Sequence, residues 1–521
     1  MFGARSVLGR IATTVRSIIS PKAVTPPTQT PSAFAMPDTQ DTSSAEPVVS
    51  NSNATSEPSA SPATAAGNDG PGKRKVRAQT TKERREYAKR KRLERQQEEP
   101  RERQPRPEGS EPRKPKRKVA LLMGFCGTGF QGMQVNPNAR TIEGELFKAM
   151  IAAGAVSEDN ADDQSKVQFQ RAARTDKGVH AAGQVVSLKM IIEDPDIVQK
   201  INEQLPEQIR LWGYVRVVKS FNSKTLCDSR IYEYLLPTHV LMPSSEKNAE
   251  IARTVEFVQR TVPEITPEQI EELRAYRASE EQLQFVRDAL AKYCGTHDFR
   301  NFTVTRGCTE SNSKRYIHSF TASDPMIIRG AEWISLKVKG QSFMLHQIRK
   351  MVGLVVLMAR AGAPLKLIDA LFASPRVNVP KAPGLGLLLE QPVFESFNRR
   401  LKNQRKDASS DPVTFEPYME QINEFKQKFI YDAIVDTEMS DNVFNAWVQG
   451  TEIFPEPFTY VNKEGVIPEE AFITPESERK WQQKMQELRE VEQKLGKAGN
   501  QSDDDSEAAG SDNDDEKGKV N

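Results

Sequence analysis

The chain has 521 residues, with 73 basic and 71 acidic side chains and a formal net charge of +2. Only 37% of its residues are hydrophobic and 33 are prolines, so part of this length cannot bury a core and is expected to be disordered. No run reaches the roughly 18 apolar residues of a membrane span, and the four cysteines, Cys126, Cys227, Cys294 and Cys308, are too scattered for a disulfide scaffold, which points to a soluble protein of a reducing compartment.

A charge near zero argues against a nucleic-acid partner until it is counted by segment. Residues 1–72 carry 4 basic and 5 acidic side chains, residues 73–118 carry 20 and 8, and residues 501–521 carry 2 and 8. A basic arm and an acidic tail flank an almost neutral body.

Residues 1–22 hold four basic side chains and no acid, with apolar residues such as Val7, Ile11, Val15 and Ile18 at helical spacing. That is the composition of a mitochondrial presequence. Residues 23–72 are rich in Ser, Thr, Ala and Pro and too poor in large apolar groups to pack. Residues 73–118 contain KRKVR, KRKR and RKPKRK, clusters suited to a nuclear import receptor or to phosphate contact. Met36 lies between the presequence and these clusters; initiation there would keep only the clusters.

The folded body begins at Lys118. Val119–Met123 reads as a strand running into the glycine-dotted turn Gly127, Gly129, Gly132, and residues 141–154 read as a helix capped by Thr141 with Glu143 in its first turn. Strands are predicted at Val167–Gln170, Gln184–Met190, Leu211–Lys219, Ile231–Leu236 and Trp333–Lys339, and helices at Leu283–Tyr293 and 346–362. Residues 240–280, polar and Glu-rich, read as an insertion or linker; 414–449 reads as an amphipathic extension and 475–497 as a charged helix. Strands and helices mix without a regular βαβ repeat, which favours α+β over a doubly wound sheet.

Three stretches carry chemistry. RAARTDKGVHAA (171–182) holds Asp176 beside Gly178 on a polar loop between predicted strands; such a carboxylate serves as nucleophile, base or salt-bridge partner. RIYEYLL (230–236) places Arg230, Tyr232 and Tyr234 on one face of a strand, either as core aromatics or as a platform for a nucleobase with an arginine for phosphate. QSFMLHQIRKMVG (341–353) sets Arg349 among apolar neighbours, where a buried guanidinium requires a partner such as Asp176.

Taken together with GFCGTGFQGMQ, NARTIEGEL, GTHDFRNFT and APGLGLLLE (Ala382–Glu390), the stretch RTDKGVHA (Arg174–Ala181) resembles the TruA-type tRNA pseudouridine synthases, and within them the eukaryotic multisite branch. The resemblance covers roughly 119–398, and FKQKFIYDAI (Phe425–Ile434) and FNAW (Phe444–Trp447) extend it. It implies an α+β fold of two subdomains, 119–239 and 281–398, whose mainly antiparallel sheets form an RNA-binding cleft. Residues 240–280 would lie between the subdomains, a helical extension over 399–497 would follow, and disordered tails, the acidic one at 498–521, would flank the whole.

The same resemblance implies isomerisation of flipped-out uridines to pseudouridine at several sites in tRNA. Asp176 would be the catalytic carboxylate. Tyr232 would stack on the target base, Arg349 would pair with Asp176, Arg174 would hold the flipped backbone, and Leu387 would form the apolar wall of the pocket. Messenger and small nuclear RNA would be further substrates, the nucleus would be the main location with the mitochondrion as a second, and a monomer is expected. The chemistry requires no cofactor. Cys294, His297, Cys308 and His318 form a C-x2-H-x10-C-x9-H series of zinc-compatible side chains, but His297 sits in the GTHDF stretch, where a structural histidine is the simpler reading. Two alternatives are a non-catalytic RNA-binding or chaperone protein on the same scaffold and a synthase of narrower RNA specificity.

Overall fold

In the computed structural model the described residues are 114–490, apart from 137–138, 305–309, 404–409 and positions 478, 481, 482, 485, 488 and 489. The expected presequence, the low-complexity segment, the basic arm as far as Arg113, the acidic tail and Cys308 lie outside them.

Ten strands form one sheet: β1 (Lys116–Phe125), β2 (Gln170–Arg171), β3 (His180–Ile191), β4 (Ile209–Arg216), β5 (Ser229–Pro237), β6 (Gly295–Asp298), β7 (Lys314–Ala322), β8 (Met326–Ile328), β9 (Ala331–Gly340) and β10 (Leu387–Val393). Their order across the sheet is β4-β1-β3-β10-β5-β9-β7-β6, with β2 beside β3 and β8 beside β9. The pairings are antiparallel except for β10 against β3, which is parallel at Leu388–His180 and Leu389–Ala181. On its other side β10 pairs antiparallel with β5, Leu387 opposite Tyr234 and Leu389 opposite Tyr232. A strand from late in the chain thus joins an early half (β1–β4) to a later one (β5–β9) as one floor, in a mixed, mainly antiparallel α+β architecture.

The β1 run is apolar without alternation because it is covered on both faces. Val119, Leu121, Met123 and Phe125 pack with the helices Ile142–Ala152 and Ile197–Gln204. Ala120 and Leu122 belong to the other core, with Phe394, Phe415 and Phe425. The C-terminal extension supplies that second cover: the Trp212 and Phe425 rings meet edge to face at 5.3 Å. In the later half the helices Glu280–Ala291 and Gln347–Ala361 pack with Leu336 and Val338 of β9. The longer helix stops at Gly362, whose φ of +64° suits the left-handed cap that glycine supplies.

One stretch departs from the sequence reading, and a second holds elements that the reading did not place. Val167–Gln170 is not a strand: Gln164–Val167 is a 3-10 turn capped by Gln168 in the left-handed region (φ +55°), and only Gln170–Arg171 pairs in the sheet. Residues 240–280 hold two capped helices, Glu246–Thr254 and Pro267–Ala275, the second with a full capping box. That segment is clasped by the extension, with Phe257 against Phe454 at 5.2 Å and Arg260 donating to the Ile453 carbonyl. Composition looks polar there because the buried anchors are few and widely spaced.

Candidate active site

The loop carrying Asp176 joins β2 to β3 and is held by glycines that allow close backbone approach. A Cβ on Gly132 (φ +99°) would stand 2.9 Å from the Thr175 carbonyl oxygen, to which the Met133 amide donates. Gly178 is also left-handed (φ +75°), and the Val179 amide closes the turn on the Asp176 carbonyl. From behind, the Gln184 side chain both accepts from the Ala173 amide and donates to its carbonyl, at 3.2 and 2.9 Å. Buried Glu143 ties the same loop to the 127–136 turn, pairing with Arg171 and accepting from the Val135 amide. The reading from sequence gave Glu143 only a helix-terminus role.

His180, which begins β3, accepts from the Gly127 amide through Nδ1. Burial pulls its pKa down to about 4, so it stays neutral and structural.

Asp176 itself is half exposed, at 51%. His346 approaches it, Nε2 to Oδ2 at 3.7 Å. Arg349 stands farther away. Its Nε donates to the Ala382 carbonyl at 2.8 Å, and the Ala382 amide returns a bond to the Arg349 carbonyl. Burial lowers the Arg349 pKa, while the charges of Tyr234 and Asp176 oppose that shift. The expected Asp176–Arg349 partnership is therefore electrostatic, without an ion pair closed within 4 Å among the described residues.

Tyr232 lies on the same junction. Its phenol is pushed up to about 12 by burial, with Arg230 opposing and Cys227 and Asp176 reinforcing the rise; it is a neutral hydroxyl at physiological pH. Phe343 holds the ring edge on, at 5.3 Å and 84°. Tyr234, two residues on, is a core aromatic whose hydroxyl donates to the Pro383 carbonyl. Arg230 is occupied by the Gln341 and Ala172 carbonyls. Leu387 starts β10, nearly buried, and Arg174 is exposed beside Asp176. The fold thus gathers Asp176, Tyr232 and Arg349 from separate stretches, with Leu387 on the joining strand.

His297 is engaged by the Cys294 carbonyl at 2.8 Å and stacks on Phe372 at 4.2 Å; His318 packs against Tyr316. Among the described residues no three metal-ligating side chains converge, and Cys308 lies outside them.

Behind the sheet, away from Tyr232, Glu233 is fully buried and receives Lys426, Tyr431 and Ser335. Lys426 also reaches Glu390 of β10 at 2.7 Å. Burial would raise Glu233, but Lys426 and its hydrogen bonds outweigh it and hold the carboxyl down to about 2. Burial raises Glu390. Lys426–Tyr431 forms a π-helical turn, a geometry that tends to mark functional positions.

Comparison with known proteins defines the class. A family model described as tRNA pseudouridine synthase matches residues 289–395. The chain is 42% identical over 419 residues to tRNA pseudouridine synthase 1 of Yarrowia lipolytica, covering 69% of this chain and 79% of that protein. It is 41% identical over 403 residues to the protein of the same name from Saccharomyces cerevisiae, covering 67% and 73%. It is 42% identical over 341 residues to the mouse pseudouridylate synthase 1 homolog, covering 65% and 74%. The chain belongs to the tRNA pseudouridine synthase family. It is an isomerase that converts uridine to pseudouridine in tRNA.

Proposed function

We propose that Asp176 is the catalytic carboxylate, acting on a uridine turned out of the RNA stack into the junction of β3, β10 and β5. The reaction breaks the bond from N1 to C1′, turns the base in place and joins C5 to C1′, while a proton leaves C5 and N1 gains one. Electrons balance within the substrate, so no redox cofactor is required. A stacked and paired uridine cannot turn to bring C5 to C1′, and flipping costs a few kcal/mol, which stacking on Tyr232 offsets. Asp176 takes part as a carboxylate, attacking C1′ or C6 or removing the C2′ proton. The half-exposed Asp176, whose charge is felt by both Tyr232 and Arg349, carries this reading.

The test is pseudouridine formation on a tRNA transcript by Asp176→Asn at saturating RNA. Undiminished conversion would refute the role of Asp176, whereas no conversion by the wild-type protein would return the non-catalytic scaffold reading.

We further propose several target uridines in tRNA, with messenger and small nuclear RNA as additional substrates, because shape and backbone contacts rather than a base code select RNA. Pseudouridine mapping of total RNA with and without the active protein tests this; a single lost site in a single tRNA would refute it. Residues 1–22 and the clusters of 73–118 support mitochondrial and nuclear locations, the latter through an import receptor. Deleting each segment and following the fractionated protein checks both, and an unchanged distribution counts against them.

A further inference from the structure

We propose that a cleft at the far end of the sheet from Asp176 is a phosphate-binding site, with the Lys118 ammonium as its central charge and Lys189 beside it. The inference does not depend on the role of Asp176.

The cleft, of about 590 Å³, lies between the 163–170 turn and residues 219–222, with Lys118 in its wall. Lys118 of β1 stands directly opposite Lys189 of β3, so strand alternation puts both side chains on one face. Like charges opposite each other across a ladder are destabilising. Burial adds to the cost, because Lys118 is only 7% exposed. Its Nζ donates to one acceptor, the Gln168 carbonyl at 3.3 Å, of the three bonds an ammonium can make. Among the described residues no carboxylate stands within 4 Å of Lys118, Lys189 or Lys219. Burial and the Lys189 charge pull the Lys118 pKa down to about 8. A buried cation is normally paired, and an anion in the cleft completes this one.

The rest of the wall suits an oxyanion. Lys219 stands exposed on the opposite rim. Asn222 gives its side-chain oxygen to the Lys224 and Thr225 amides, which leaves its amino group as a donor. Asp163, the one carboxylate lining the cleft, is committed to its own turn, accepting from the Ser165 amide at 2.7 Å and from the Ser165 hydroxyl. His180, where β3 leaves the Asp176 loop, is nine residues before Lys189, about 30 Å along a strand. The cleft is therefore separate from the uridine site. Two sources share the required chemistry, a phosphodiester of bound RNA and free phosphate.

The experiment follows the melting temperature of the full-length chain against inorganic phosphate, with chloride balancing ionic strength, for wild type, Lys118→Met and Lys189→Met. A ligand held only by the folded chain raises the midpoint with its concentration, whereas general salting-out acts alike on all three proteins. In chloride alone Lys189→Met should melt at or above the wild type, since it removes the repulsion. In both methionine variants the apparent phosphate affinity should fall roughly tenfold, the size of one charge-assisted hydrogen bond. Equal phosphate responses in the three proteins, or none in the wild type, overturn the site. Lys189→Met alone decides if Lys118→Met does not fold. Titration of tRNA over a salt series then separates the sources. A salt slope lower by about one in the variants assigns the anion to RNA; an unchanged slope beside a lost phosphate response assigns it to free phosphate.

Discussion

Leu389 stands opposite Tyr232 across the β10–β5 ladder and beside Ala181 in the β10–β3 pairing. One fully buried leucine thereby belongs to both halves of the sheet. Its register fixes the distance between the strand that carries the tyrosine and the strand that follows the aspartate loop.

Leu389→Ala should cost about 2–5 kcal/mol, the range for emptying a packed core site. Chemical denaturation checks this. Turnover should fall while Asp176 and Tyr232 remain intact. A loss below about 1 kcal/mol would mean that the junction collapses around the gap.

Tyr232→Phe keeps the ring and its edge contact with Phe343, whereas Tyr232→Leu removes the stacking plane. Stacking of a base on an aromatic ring is worth about 1–3 kcal/mol. The leucine variant should therefore lose RNA affinity by that amount in equilibrium titration, with phenylalanine near wild type. Equal affinity in all three would remove the tyrosine from the base platform.

Lys426 is the cation shared by two buried carboxylates. Lys426→Met leaves Glu233 with Tyr431 and Ser335 but no counter-charge, and breaking one partner of a buried pair costs about 3–5 kcal/mol. The combined change Glu233→Gln and Lys426→Met should be milder than Lys426→Met alone, measured as unfolding free energies. If the double variant is the weaker, the network contributes through shape rather than charge balance.

Stability should depend on pH in two opposite ways. His180 and His239 are buried and both fall to about 4. The unfolded chain binds their protons first, so stability present above about pH 6.5 drains as pH falls toward 4, at up to about 1.4 kcal/mol per pH step for each. Burial raises Glu438 to about 8, against the Phe444 amide and its neighbours. Here the native state holds the extra proton, so that contribution is complete below about pH 4.5 and is lost as pH rises through 8. Glu438 also stands 3.6 Å from His239. In a denaturation series Glu438→Gln should remove the decline toward pH 8 and steepen the rise between about pH 4.5 and 6.5, where the two windows overlap. An alkaline limb identical to the wild type would assign the loss elsewhere.

Much of this was readable from residues alone because the motifs are short and local. The Thr141 cap, the helix around Arg349 and the strand bearing Tyr232 all follow from periodicity and terminal residues. Two things were not readable. Long-range pairing places Leu387–Val393 between strands that begin at 180 and 229, and nothing in an apolar run states its partners. The left-handed backbone of Gln168 is likewise invisible, since glutamine carries no signal comparable to glycine's. The polar look of 240–280 concealed its helices because Phe257 and Arg260 anchor it to residues almost 200 positions later.

The late position of β10 has a consequence for synthesis. During translation the strands up to β9 are complete before residue 387 leaves the ribosome, yet their two groups have no shared strand until it does. The Lys426 clasp behind the sheet comes later still. A nascent chain therefore carries Asp176, Tyr232 and Arg349 for some time without the seam that brings them together. Activity arrives as a late event of chain growth, and premature termination anywhere before the seam leaves the two groups of strands without the strand they share.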